Sequence, residues 1–95
     1  MGKHRMSGSA LYNAHHQLVA KVRGESLFDR DNQRVGFIKG NVLFDAEDRK
    51  MMSLRGSVIY DAANKRVASL SEVKESILGS VEGMMSAALW YCFVR

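Results

Sequence analysis

Arg23-Gly24-Glu25-Ser26-Leu27-Phe28-Asp29-Arg30-Asp31-Asn32-Gln33-Arg34-Val35-Gly36-Phe37-Ile38 is one of four sixteen-residue units that follow one another without a gap. The others are Ser7 to Val22, Lys39 to Leu54 and Arg55 to Leu70. Aligning them produces a glycine column (Gly8, Gly24, Gly40, Gly56), a Leu/Ile column (Leu11, Leu27, Leu43, Ile59), an aromatic column (Tyr12, Phe28, Phe44, Tyr60) and an Asn/Asp column (Asn13, Asp29, Asp45, Asp61). A period of this kind specifies an architecture built from repeated small units, and it says little about chemistry.

Within each unit, a short run ending in the aromatic reads as a strand: Ala10-Leu11-Tyr12, Ser26-Leu27-Phe28, Val42-Leu43-Phe44 and Val58-Ile59-Tyr60. A second strand follows over 18–22, 35–38, 51–54 and 67–70. Between the two, segments such as Asp29-Arg30-Asp31-Asn32-Gln33 read as type I turns whose leading Asp accepts hydrogen bonds from the turn backbone. Asn32, Asp48 and Asn64 then fall where a left-handed residue closes a bulged hairpin, and Asn13-Ala14-His15-His16-Gln17 is the most altered copy. Lys or Arg followed by Gly joins successive hairpins, because a second tight reversal needs a residue that takes positive φ freely. The expectation is eight strands in four antiparallel hairpins over 7–70, preceded by a flexible N-terminus over 1–6. A β-solenoid with sixteen-residue coils is the competing architecture, and the Asx-type turn halfway through each unit favours hairpins.

The neighbouring Leu/Ile and aromatic columns point to opposite faces of a strand. One face packs on the common centre of the hairpins. The other needs a cover, and this reading assigns the aromatic column to the core. After Leu70 the period changes: Ser69-Leu70-Ser71-Glu72 has capping-box spacing, and Val73, Ile77, Leu78, Val81, Met84, Met85, Ala88 and Leu89 recur at helical steps. One apolar helix over 71–95, packed on the same domain, is expected. Its uninterrupted apolar run, Ala87 to Val94, is too short to span a membrane.

Four hairpins with a Gly-x-x-(Leu/Ile)-(Tyr/Phe)-Asp rhythm, closed by an apolar helix, resemble the bacterial four-fold β-flower domains. The resemblance covers Gly8 to Leu70 and, more loosely, the helix; Asn13 and Met51-Met52 depart from the pattern. It implies a mainly β fold with approximate four-fold symmetry, and it brings no established activity and no catalytic residue.

The 95 residues suit one domain, and 46% apolar content excludes a disordered chain. Cys92 is the sole cysteine, so neither an internal disulfide nor a cysteine-based zinc site is open to the chain. No secretory signal follows the basic N-terminus, and a cytoplasmic location is expected. His4, His15 and His16 stand at no recognisable ligand spacing, and the Asp columns lack the Gly and Glu that a calcium loop requires. There is no nucleophile elbow, Walker loop or dinucleotide fingerprint, so no enzyme, cofactor or metal is expected.

Two features are left for function. Residues 1–70 carry twelve Lys/Arg against seven Asp/Glu, and the cations recur in register as Arg23, Lys39, Arg55 and as Arg34, Lys50, Arg66. Those columns either contact a nucleic acid or other polyanion or form a solvated rim that discourages edge pairing. The apolar helix, through Met84, Met85, Leu89, Trp90 and Phe93, offers contacts for a homo-oligomer or another protein. A non-catalytic interaction module acting through protein–protein contacts is the leading expectation, with nucleic-acid or polyanion binding as the alternative.

Overall fold

The computed structural model describes residues 4–79 and 83–94. Ten strands form one sheet in the order β10-β1-β2-β3-β4-β5-β6-β7-β8-β9. They are β1 (His4–Ser7), β2 (Ala10–Tyr12), β3 (Leu18–Arg23), β4 (Ser26–Asp29), β5 (Arg34–Lys39), β6 (Val42–Asp45), β7 (Lys50–Arg55), β8 (Val58–Asp61), β9 (Arg66–Ser69) and β10 (Ile77–Leu78). Helices α1 (Leu70–Ser76) and α2 (Gly83–Leu89) follow the repeats, and a π-helical turn, Trp90–Val94, continues α2. From β1 to β9 every neighbouring pair is antiparallel, as consecutive hairpins require.

Two kinds of turn alternate along the meander. Gly8, Gly24, Gly40 and Gly56 have φ between +61° and +65° and open two-residue loops, the pattern of a type II′ hairpin turn. At the opposite ends, Asn32 donates its N–H to the carbonyl of Asp29 (3.0 Å), and its φ is +67°. Asp29 Oδ1 accepts from the N–H groups of Asp31 and Gln33 (both 2.9 Å). Asp45 and Asp61 repeat this arrangement, and Asn13 does so with its amide oxygen. The first unit is altered in sequence but not in geometry, since His16 takes the left-handed place at φ +63°. In each hairpin the second strand carries one extra residue opposite the step from the Leu/Ile to the aromatic, so that Phe28 faces Arg34 while Leu27 faces Gly36.

One sheet face carries Met6, Leu11, Ala20, Leu27, Leu43, Met52, Ile59 and Ala68, all buried. Val73, Ile77, Met85, Ala87, Ala88 and Leu89 from the C-terminal segment complete that core. Each fully buried Leu or Ile contributes about 1.5–3 kcal/mol relative to exposure. Gly36 lies close against the neighbouring strand on the inner face, where a Cβ would collide with the Phe44 carbonyl oxygen.

Three expectations change. His4–Ser7, of which His4 to Met6 fall in the expected flexible N-terminus, is a strand, and it pairs in parallel with β10 through His4–Ile77 and Arg5–Leu78. That pairing also interrupts the expected single helix: Ile77 is extended, and Gly79 turns at φ +71° against the Met6 carbonyl. Val81 and Glu82, which the helical periodicity includes, lie outside the described residues. Finally, the C-terminal segment covers the Leu/Ile face alone. The aromatic column lies on the opposite, outer face and is half-buried there, not in the core.

Candidate polyanion-binding face

Residues directly opposite each other in an antiparallel pair share a face, so the register lays out the outer surface strand by strand. Tyr12 stands between Arg5 and Leu18, Phe28 between Lys21 and Arg34, Phe44 between Phe37 and Lys50, and Tyr60 between Ser53 and Arg66. Aromatic rings and cations therefore alternate across the sheet. Arg23, Lys39 and Arg55 lie two residues along from Lys21, Phe37 and Ser53, hence on the same face beside the tight turns. Both basic columns flank the aromatic row, and all six of their side chains are exposed.

Several cations lie on the rings themselves. Arg23 Cζ stands 5.5 Å from the centroid of Phe28, Arg34 Cζ 4.7 Å from that of Phe37, and Arg55 Cζ 4.1 Å from that of Tyr60. Phe37 and Phe44 stack at 5.3 Å with 20° between their planes. An exposed cation–π contact is worth about 0.5–1 kcal/mol, enough to favour a guanidinium near the ring without removing it from water.

The acids lie elsewhere. Asp29, Asp45 and Asp61 are turned into the hairpin ends, each with Oδ1 bound by two backbone N–H groups. The N–H of Arg49 foremost, with that of Glu47 and the Arg49 guanidinium, lowers the pKa of Asp45 despite an opposing desolvation effect. Arg49 pairs with both Asp45 and Glu47, so one cation stands against two carboxylates and that tip keeps a negative balance. Glu72 accepts from the Ser69 N–H (2.7 Å) at the start of α1, which lowers its pKa, with Arg66 at 3.6 Å adding to the effect. Arg66 is the basic-column member with an acid beside it.

Sequence reasoning missed Arg5, Lys21, Phe37 and the outer-face position of the aromatic column. Lys21 and Phe37 were within reach: each is as far before its two-residue turn as Phe28 or Phe44 is after it, and equal distances mark facing residues. The expected oligomer contacts divide differently. Met85 and Leu89 are buried within the monomer, whereas Met84, Trp90 and Phe93 are half-buried. Among the described residues the exposed large hydrophobic side chain is Leu78.

A cleft of about 560 Å³ opens beside the first two tight turns, lined by Met6, Val22 and Met85, with Ser9 and Glu25 as its polar side chains. No group of three or more His, Cys, Asp or Glu able to hold a metal ion occurs among the described residues. In the same residues no helix is long and apolar enough to cross a membrane.

An antiparallel meander of repeated hairpins, closed on one face by the chain's own C-terminal segment and open on the other, defines a small, mainly β flower-like module. A family model described as "5-fold beta-flower protein" matches residues 3–93, and the chain belongs to that family. Its five-fold description replaces the four-fold expectation. The sixteen-residue period counts four units, while the β1–β10 pairing joins His4 and Arg5 to Ile77 and Leu78, which lie outside those units and belong to none of their Gly, Leu/Ile, aromatic or Asn/Asp columns. No curated protein and no solved structure matches the chain significantly.

Proposed function

We propose that this protein is a non-catalytic binding module whose working surface is the outer face of the sheet, and that its ligand is a nucleic acid or other polyanion. One observation supports this reading above the rest: Arg23, Lys39, Arg55, Arg34, Lys50 and Arg66 share one face with the aromatic row, while Asp29, Asp45 and Asp61 are engaged in turn backbone. Exposed cations gathered on one surface bind phosphates by releasing counterions, so the affinity is salt-dependent. Titration with single-stranded and duplex oligonucleotides at two salt concentrations tests it. Binding that weakens steeply as salt rises is expected, and no salt-sensitive binding to either discards the proposal.

Self-association or contact with another protein through the C-terminal segment is the second reading. It is supported by the half-buried Met84, Trp90 and Phe93. Because Met85 and Leu89 are already covered, less apolar surface is left for a partner than the sequence alone suggests. Sedimentation that finds only a 10.6 kDa species removes the homo-oligomer.

A further inference from the structure

We propose that the outer face is built for single-stranded nucleic acid in particular, with bases stacking on its aromatic row and phosphates meeting its cations. This deepens the polyanion reading and rests on it. A surface that only neutralised phosphates would need cations and nothing more. Here Phe28, Phe37, Phe44 and Tyr60 stand between the cations on the sheet face opposite the buried core, and they are half-buried there. The part of these rings left accessible is apolar, and a ligand with flat apolar faces can cover it.

Three of those rings have an arginine over them. Arg23 lies over Phe28, Arg55 over Tyr60, and Arg34 over Phe37, which itself stacks on Phe44. A guanidinium plane supported by a ring accepts a base on its outer side. If the arginine turns to a phosphate, the ring takes the base directly. Aromatics of successive units are two strands apart, roughly 10 Å. That spacing suits a flexible strand laid across the sheet. Duplex DNA turns its base faces inward, so it uses the cations and leaves the rings idle. Polyphosphate and sulfated polysaccharide have no planar bases at all.

The decisive comparison uses the unaltered protein with three fluorescent ligands of equal phosphate number: oligo(dT), an abasic strand and a duplex. Oligo(dT) is expected to bind at least tenfold more tightly than the abasic strand and more tightly than the duplex. Phe28→Leu and Tyr60→Leu, checked for unchanged melting, are expected to lower oligo(dT) affinity about fivefold or more and abasic binding by clearly less, since each lost stack removes a base-specific contact while the arginine beside it keeps its charge. Equal binding of oligo(dT) and the abasic strand, or preference for the duplex, overturns this inference and leaves polyanion binding standing. Absence of binding to all three overturns both.

Discussion

Arg55 lies along the ring of Tyr60, with Cζ 4.1 Å from the ring centroid and an amino nitrogen 3.3 Å from Oδ1 of Asn64. The two residues come from neighbouring strands, and the guanidinium crosses the ring to reach the next hairpin end. A charge held in this way has lost much of its rotamer freedom before any ligand arrives, which lowers the entropic cost of binding. The same residue keeps its charge exposed to solvent.

Replacing Arg55 with Lys therefore is not conservative. Lysine is a compact point charge and does not stack flat on a ring. Arg55→Lys is expected to change stability by no more than about 1 kcal/mol, the size of one exposed cation–π contact. Oligonucleotide affinity is expected to fall measurably in a fluorescence anisotropy titration, although the net charge is unchanged.

Glycine substitutions separate two kinds of constraint. Gly56 has φ +63° and open space on the side where a methyl group would stand, so alanine there meets only the left-handed backbone penalty, about 1–2 kcal/mol. At Gly36 the backbone is ordinary, but a Cβ collides with the Phe44 carbonyl oxygen, and overpacking of this sort costs about 1–3 kcal/mol. Urea denaturation of Gly36→Ala and Gly56→Ala checks both values. A neutral Gly36→Ala contradicts the close approach of β5 and β6.

In the C-terminal segment, Leu89→Ala removes a side chain with no solvent exposure and is expected to destabilise the fold by about 2–5 kcal/mol. Phe93→Ser removes a half-buried one and is expected to cost less. Comparing their denaturation midpoints locates the cover of the inner face.

Acid sensitivity follows from Asp45 and Glu72. Hydrogen bonding holds both folded-state pKa values below the ordinary carboxylate range. A depressed folded pKa stabilises the fold at pH values above the unfolded pKa, and that stability is lost as pH falls through the folded one. Denaturation midpoints are thus expected to be flat near neutrality as far as these groups are concerned, and to decline in acid. Glu72→Gln keeps a hydrogen-bond acceptor but cannot titrate, so its acid limb is expected to be shallower than that of the unaltered protein.

Much of this fold was legible because its turns are local. The Asp29-to-Gln33 hairpin end needs only residues within a few positions of one another, and the left-handed Asn32 follows from the spacing. What was not legible depends on distant contacts. Ile77 and Leu78 continue a helical period, yet they leave the helix to pair with His4 and Arg5, more than seventy residues away. Alternation places Leu27 and Phe28 on opposite faces without saying which face the single C-terminal segment covers. The basic columns were visible in register, but their union with the aromatic row depends on the extra residue that brings Arg34 opposite Phe28 and Lys50 opposite Phe44.

The most direct test of the outer face as the working surface is a side-chain nuclear magnetic resonance titration with oligo(dT). Ring resonances of Phe28, Phe44 and Tyr60 are predicted to shift with saturation. Methyl resonances of Leu27, Leu43 and Ile59, one residue earlier on the buried face, are predicted to stay nearly in place. Shifts concentrated at Met84, Trp90 and Phe93 with the ring resonances unmoved would contradict the account.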